Sequence, residues 1–143
     1  MTDHFRKLEN MYLSAPINRF YEPTLRIERG KAEVRMTIRP DFFHAAGAMH
    51  GSVYFKAADD TAFFAVNSLV EDVFVLTTTF TIYLLRPVTE GVLVAQGTVV
   101  HAARTTFVAE AVLLDGAGNQ VGRGSGTFVR SKKPLTADIG YRR

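Results

Sequence analysis

From His44 to Val66 the chain reads HAAGAMHGSVYFKAADDTAFFAV, and this stretch holds most of the side chains that could do chemistry. Two adjacent carboxylates, Asp59 and Asp60, lie among alanines and phenylalanines, where an ionised group is costly unless it is partnered or used. A desolvated carboxylate holds its proton more tightly and so becomes a better general base near neutral pH. It can also attack an activated carbonyl directly. Two histidines precede the pair. His44 and His50 stand at i, i+6 with no third ligand near them, which is too little for a metal site, and none is expected.

These residues must be positioned by a helix. No Gly or Pro interrupts residues 52–69, a length of about five turns, with Ser52 as the expected N-cap. On a helix Asp60 shares a stripe with Val53, Lys56, Phe64 and Asn67, so Lys56, one turn earlier, is a ready ion-pair partner. Asp59 shares its stripe with Ser52, Phe55, Phe63 and Val66 and has no local partner. It is either satisfied by a distant hydrogen-bond network or kept for chemistry. The N–H groups of Gly51 and Ser52, at the positive end of the helix dipole, are placed to stabilise a carbonyl oxygen gaining negative charge. Ser52 and Asp59 are separated by about 10 Å along the axis. If both helix start and carboxylate act on one carbonyl, they come from different subunits, so an active site shared across a dimer is expected. The plainer role of Gly51 is a tight turn into the helix, and that of His50 a positioning hydrogen bond within that turn.

The remaining elements follow from periodicity. Residues 3–13 carry Phe5, Leu8, Met11 and Tyr12 at helical spacing, and SAPINRFYEP reads as a loop. A hairpin is expected around Gly30-Lys31, followed by strands at 73–85, 91–102, 105–114 and 120–130, these four in consecutive antiparallel order. An α+β fold results, one long apolar helix against a curled antiparallel sheet of about six strands, in a single domain spanning 1–143. The helix is apolar on more than one side, so a second subunit is the expected cover.

Composition narrows the function. With 143 residues, 47% of them hydrophobic, the chain can bury a real core, and without cysteine it has no disulfide, thiolate metal site or Cys nucleophile. There is no signal-peptide h-region and no apolar run approaching the ~18 residues of a membrane span, so a cytoplasmic protein is expected. The net charge of +3 is concentrated toward the C-terminal third, in residues such as Arg104, Arg123, Arg130, Lys132 and Lys133. Any of these could meet the phosphates of an anionic ligand. No basic stripe with a reading element is present, which argues against nucleic acid. Phe63, Phe64 and Phe80 read as core.

The segment GAMHGSVYFKAADDTAFFAV resembles the H-G-G-x6-D signature of hotdog-fold acyl-CoA thioesterases of the phenylacetic-acid-pathway (PaaI) type. The similarity continues through TTTFTIYLLRPVTEG and RTTFVAEAVLLDGAGNQVGRGSGTF, covering roughly residues 30–130. It implies a helix wrapped by an antiparallel sheet, homodimers often paired into tetramers, and hydrolysis of an acyl-CoA without cofactor. By position it implies Asp59, nine residues after His50, as the catalytic carboxylate, the Gly51 N–H as the group polarising the thioester carbonyl, and Thr77 as the hydroxyl orienting water. His44 stands where the family commonly has Asn, facing the carboxylate or the water; Ser52 replaces the second glycine; and Asp60 is the fallback acid. Two other readings are a non-catalytic acyl-CoA binding protein and a hotdog dehydratase or hydratase. The latter resembles a pattern with a proline-rich turn after a catalytic His, which HGSVYF lacks.

Overall fold

The computed structural model describes residues 2–143. Helix α1 (Thr2–Ser14) and the single turn α2 (Asn18–Tyr21) precede a hairpin of β1 (Thr24–Glu28) and β2 (Lys31–Thr37). The long helix α3 (Gly51–Asn67) follows, then β3 (Val73–Leu84), β4 (Val92–Ala102), β5 (Phe107–Leu114) and β6 (Gln120–Pro134). The six strands form one antiparallel sheet around α3, the architecture of the hotdog fold. Among the described residues no helix is long and apolar enough to cross a membrane.

Small residues let the sheet wrap the helix closely. Ala57, Ala58 and Ala65 are buried on α3 in one cluster with Val34, Leu93, Ala95 and Leu113 of the sheet, and Ala62 in a second with Val75, Ala109 and Phe128. At Gly97 the helix backbone lies almost on β4: a Cβ there would sit 2.5 Å from the carbonyl oxygen of Thr61. The buried Thr61 hydroxyl makes hydrogen bonds at 2.8 Å and 3.1 Å to the carbonyls of Ala32 and Ala95. Its polarity is therefore satisfied where water cannot reach.

The strand order is β1-β2-β4-β5-β6-β3, which corrects the expected run of four consecutive neighbours. Strand β3 does not pair with β4 but closes the far edge beside β6. Two features direct it there. The buried Asn67 at the end of α3 donates to the carbonyls of Val70 and Val73 and accepts from the Val75 N–H, fixing the start of β3 against the helix. Gly124 and Gly126 then let β3 lie tight on β6, since a Cβ on either would come within 2.7 Å of a β3 carbonyl and into the Phe80 ring. Residues 85–91 return across the helix start to β4, held by bonds from Met49 N–H to Val88 and from Ile38 N–H to Gly91.

Other boundaries shift modestly. Residues 14–23 are not all loop: Pro16 sits in a turn closed by the Asn18 N–H on the Ala15 carbonyl at 2.9 Å, which leads the backbone into α2. Helix α3 ends at Asn67, whose side chain turns to serve β3, and β6 runs on to Pro134.

The close approach at Gly97 predicts that Gly97→Ala costs about 1–3 kcal/mol by overpacking. Gly116→Ala, at a turn where the nearest backbone atom is 3.9 Å from the new methyl, stays within about 0.5 kcal/mol of wild type. Urea denaturation of both variants checks the contrast.

Candidate active site

The mouth of α3 is built by its own turn. The His50 N–H bonds the Phe42 carbonyl at 2.8 Å, and His50 takes extended backbone angles as the N-cap. Its Nδ1 accepts the Ser52 N–H at 3.0 Å and lies 2.8 Å from the Ser52 hydroxyl. The cap is thus His50 rather than Ser52, and the Ser52 N–H, expected to be free, is occupied. This leaves Gly51 as the first residue of the helix, its N–H without a hydrogen-bond partner among the described residues. His44 turns away: its Nδ1 accepts the Ala46 N–H at 3.1 Å. It lines a shallow pocket of about 270 Å³ with Gly51, Tyr54 and Leu84. Within one chain neither histidine touches Asp59.

Asp59 lies two turns along α3. Its Oδ1 accepts a hydrogen bond from the Thr77 hydroxyl at 2.8 Å. A bulge in β3 makes this contact possible: Thr77 pairs with Phe128 and Thr79 with Thr127, so Thr78 is the extra residue. The bulge flips the strand's phase, turning Thr77 toward the helix on one side and Phe80 and Ile82 inward on the other. Thr78 turns outward, and its hydroxyl meets Thr127.

The neighbouring carboxylate is held differently. Asp60 Oδ2 accepts from the Tyr12 hydroxyl at 2.6 Å and from Lys56 Nζ at 2.7 Å. The ammonium of Lys56 also lies over the rings of Tyr12 and Tyr21. Burial, with the charge of Asp60, pushes the Tyr12 hydroxyl far up, so it stays protonated and donates. Burial likewise raises the Asp59 carboxyl above its ordinary value; the Thr77 hydroxyl opposes this, Asp60 adds to it and Lys56 opposes it. Asp59 is therefore a stronger base than an ordinary exposed aspartate.

Both carboxylates open on a cleft of about 880 Å³ between α1, α3, β3 and the C-terminal segment. Phe63, Phe64, Phe74 and Leu76 supply much of its apolar wall, so Phe63 and Phe64, read as core, face the cleft as well. Phe80 packs over Gly124 and Gly126 and against Phe55. Sequence reasoning missed both terminal walls. Tyr12 read as part of an apolar stripe, and its hydroxyl was the signal for a polar role. The C-terminal segment is fixed by a hydrogen bond of 2.6 Å between His4 and Tyr141 and another of 2.8 Å from Asn10 to the Arg142 carbonyl.

The basic candidates divide. Arg130 reaches the Arg104 carbonyl at 3.2 Å and Asp72 at 3.7 Å, with exposed Lys132 beyond it on β6. Arg123, bonded to Gln120, lies seven residues from Arg130 on β6, roughly 23 Å away, and cannot share a phosphate with that group.

Comparison with known proteins identifies the family and the fold. The model of the thioesterase superfamily matches residues 46–121, the stretch holding both helix start and carboxylate. The structure of the Escherichia coli PaaI protein from the phenylacetic acid degradation operon superposes with a TM-score of 0.85 at 22% identity, covering 94% of this chain and 98% of that one. The thioesterase HI1161 of Haemophilus influenzae gives 0.77 at 18% identity over 84% and 85%. A mutant of the Thermus thermophilus phenylacetic acid degradation protein PaaI gives 0.74 at 21% over 82% and 100%.

Because folding raises the Asp59 pKa, the folded state binds more protons than the unfolded just above the ordinary value of 3.8, and stability falls as pH rises through that window. The penalty is complete above the raised value and absent below the ordinary one. Asp59→Asn removes it, so at pH 7 the variant melts higher, by roughly 2–4 °C for each kcal/mol in a chain of this size. The gain vanishes toward pH 3, as thermal melts at both pH values check.

Proposed function

The chain belongs to the thioesterase superfamily and is a thioester hydrolase, and we propose that it hydrolyses an acyl-CoA to the free acid and coenzyme A, in a site shared between two copies of the chain. The observation that carries this reading is the Asp59–Thr77 pair at the wall of the apolar cleft. A thioester is already activated, so a carboxylate can suffice without a serine triad. Asp59 takes a proton from water as that water attacks the carbonyl, or attacks itself to give an anhydride that water opens. By the first route the water's C–O bond forms, the C–S bond breaks and Asp59 passes its proton to the departing thiolate. By the second the Asp59–acyl C–O bond forms as the C–S bond breaks, coenzyme A leaves as the thiolate, and the water that later opens the anhydride supplies its proton. Thr77 fixes one carboxylate oxygen, leaving the other for the water.

The tetrahedral intermediate needs a donor for its oxyanion. The Gly51 N–H suits that role, but it lies eight residues from Asp59, about 12 Å along the axis of the same helix. A second copy must therefore bring its Gly51 to this chain's Asp59. Surface chemistry supports such a dimer: Phe55 is 40% exposed, and Leu76, Tyr83 and Leu84 are exposed along β3, an edge strand with no neighbour on its outer side among the described residues. Arg104, Arg130 and Lys132 form a basic group suited to the phosphates of coenzyme A, whereas Arg123 lies too far away to join them. His50 holds the helix start in shape, and His44 borders the same mouth.

Thiol release from aromatic and aliphatic acyl-CoAs tests the assignment. Asp59→Ala loses about 10²–10⁴-fold in turnover. Gly51→Pro deletes one N–H at a helix position where proline fits, and loses about 10²–10³-fold. Gly51→Ala keeps the N–H, asks only that the Leu84 side chain give way slightly, and stays within several-fold of wild type. Equal losses in both glycine variants would count against the oxyanion role. The rate also falls with acid on a limb above the ordinary aspartate range, since only ionised Asp59 is competent.

A further inference from the structure

The two adjacent aspartates divide their partners unevenly. Lys56 is three residues before Asp59 and four before Asp60, so on a helix its ammonium can reach either carboxylate. It sits on Asp60 at 2.7 Å, with the side chains of the pair only 13% and 18% exposed. The Tyr12 hydroxyl, from a helix remote in sequence, binds the same Asp60 oxygen at 2.6 Å. The rings of Tyr12 and Tyr21 stack under the ammonium and hold it on the α1 side. Asp59, one residue away, keeps a single neutral donor, Thr77. A carboxylate in a salt bridge is a weak base, because its proton-accepting form is already stabilised.

We infer that Asp60 is a positioning residue for Asp59: with Tyr12 and Tyr21 it captures the Lys56 ammonium and so leaves the reactive carboxylate without a cation. The kinetic consequence rests on the hydrolase role of Asp59; the charge arrangement itself does not. The groups facing Asp59 support the assignment. Helix α3 contributes Lys56 and Asp60, α1 the protonated Tyr12, and β3 Thr77. Lys133 of β6 and Asp138 and Arg142 of the C-terminal segment border the same cleft, but Lys133, Asp138 and Arg142 are exposed, where solvent screens them. Lys56 is thus the half-buried cation close enough to disarm Asp59, and Asp60 is what occupies it.

The test is an NMR titration of protein labelled with ¹³C at the aspartate carboxyl, with Asp59 assigned through Asp59→Asn. In Asp60→Asn, which keeps the side-chain shape, Asp59 titrates at lower pH than in wild type, because one negative neighbour is lost and Lys56 is released toward it. In Lys56→Met it titrates at higher pH. The double variant Asp60→Asn/Lys56→Met returns most of the way from the single Asp60 variant toward wild type, a reversal that general loosening of the fold would not give. Thiol release from phenylacetyl-CoA and hexanoyl-CoA follows: in Asp60→Asn the acid limb moves to lower pH while the plateau falls several-fold. An Asp59 titration unchanged in Asp60→Asn, or not reversed in the double variant, overturns the inference. Should Asp60→Asn not fold, a downward shift or no shift in Lys56→Met overturns it alone. If wild type releases no thiol, the hydrolase reading fails while the titrations still decide the role of Asp60.

Discussion

The rest of the site depends on how a carboxylate is kept half-buried on α3 without a cation. Burial of Asp59 is costly, and one hydrogen bond from Thr77 offsets only part of that cost. The fold supplies the remainder through many apolar contacts around α3, and the stored penalty becomes base strength. Each surrounding feature serves this arrangement. The alanine face of α3 and Gly97 let the sheet close tightly on the helix, the bulge at Thr78 turns Thr77 inward, and Asp60 holds Lys56 aside.

A second constraint is geometric. A rigid helix places its own N-terminal donors about two turns from the carboxylate it carries. Both groups are sound parts for acyl transfer, and they cannot meet on one copy. The same molecule leaves an edge strand and Phe55 exposed beside the helix. The proposed shared site gives catalysis and association one physical cause, an α3 that the sheet of one chain covers incompletely.

Much of this was legible in the sequence because it is local. The uninterrupted apolar run forecast α3 within two residues of its end, the alternating stretches forecast the six strands, and stripe geometry separated Asp59 from Asp60 and paired the latter with Lys56. What escaped depends on distant partners. The placement of β3 beside β6 follows from Asn67 and from glycines some fifty residues downstream, which no local pattern encodes. The Thr-Thr-Thr run hid a bulge, because alternation cannot show which threonine is the extra one. His50 replaced Ser52 as the cap because its ring reaches the Ser52 N–H. Tyr12 and the C-terminal segment enter the site only through tertiary packing.

The most direct test of the shared site is a mixed dimer. Chains carrying Asp59→Asn and Gly51→Pro, each inactive alone, are co-produced with different tags, and the species bearing both tags is assayed for thiol release. If helix start and carboxylate come from different copies, one of the two symmetric sites in the mixed dimer is wholly wild type, and about half of the wild-type rate returns. A mixed dimer as inactive as its parents contradicts the account and places both groups of each site on one chain.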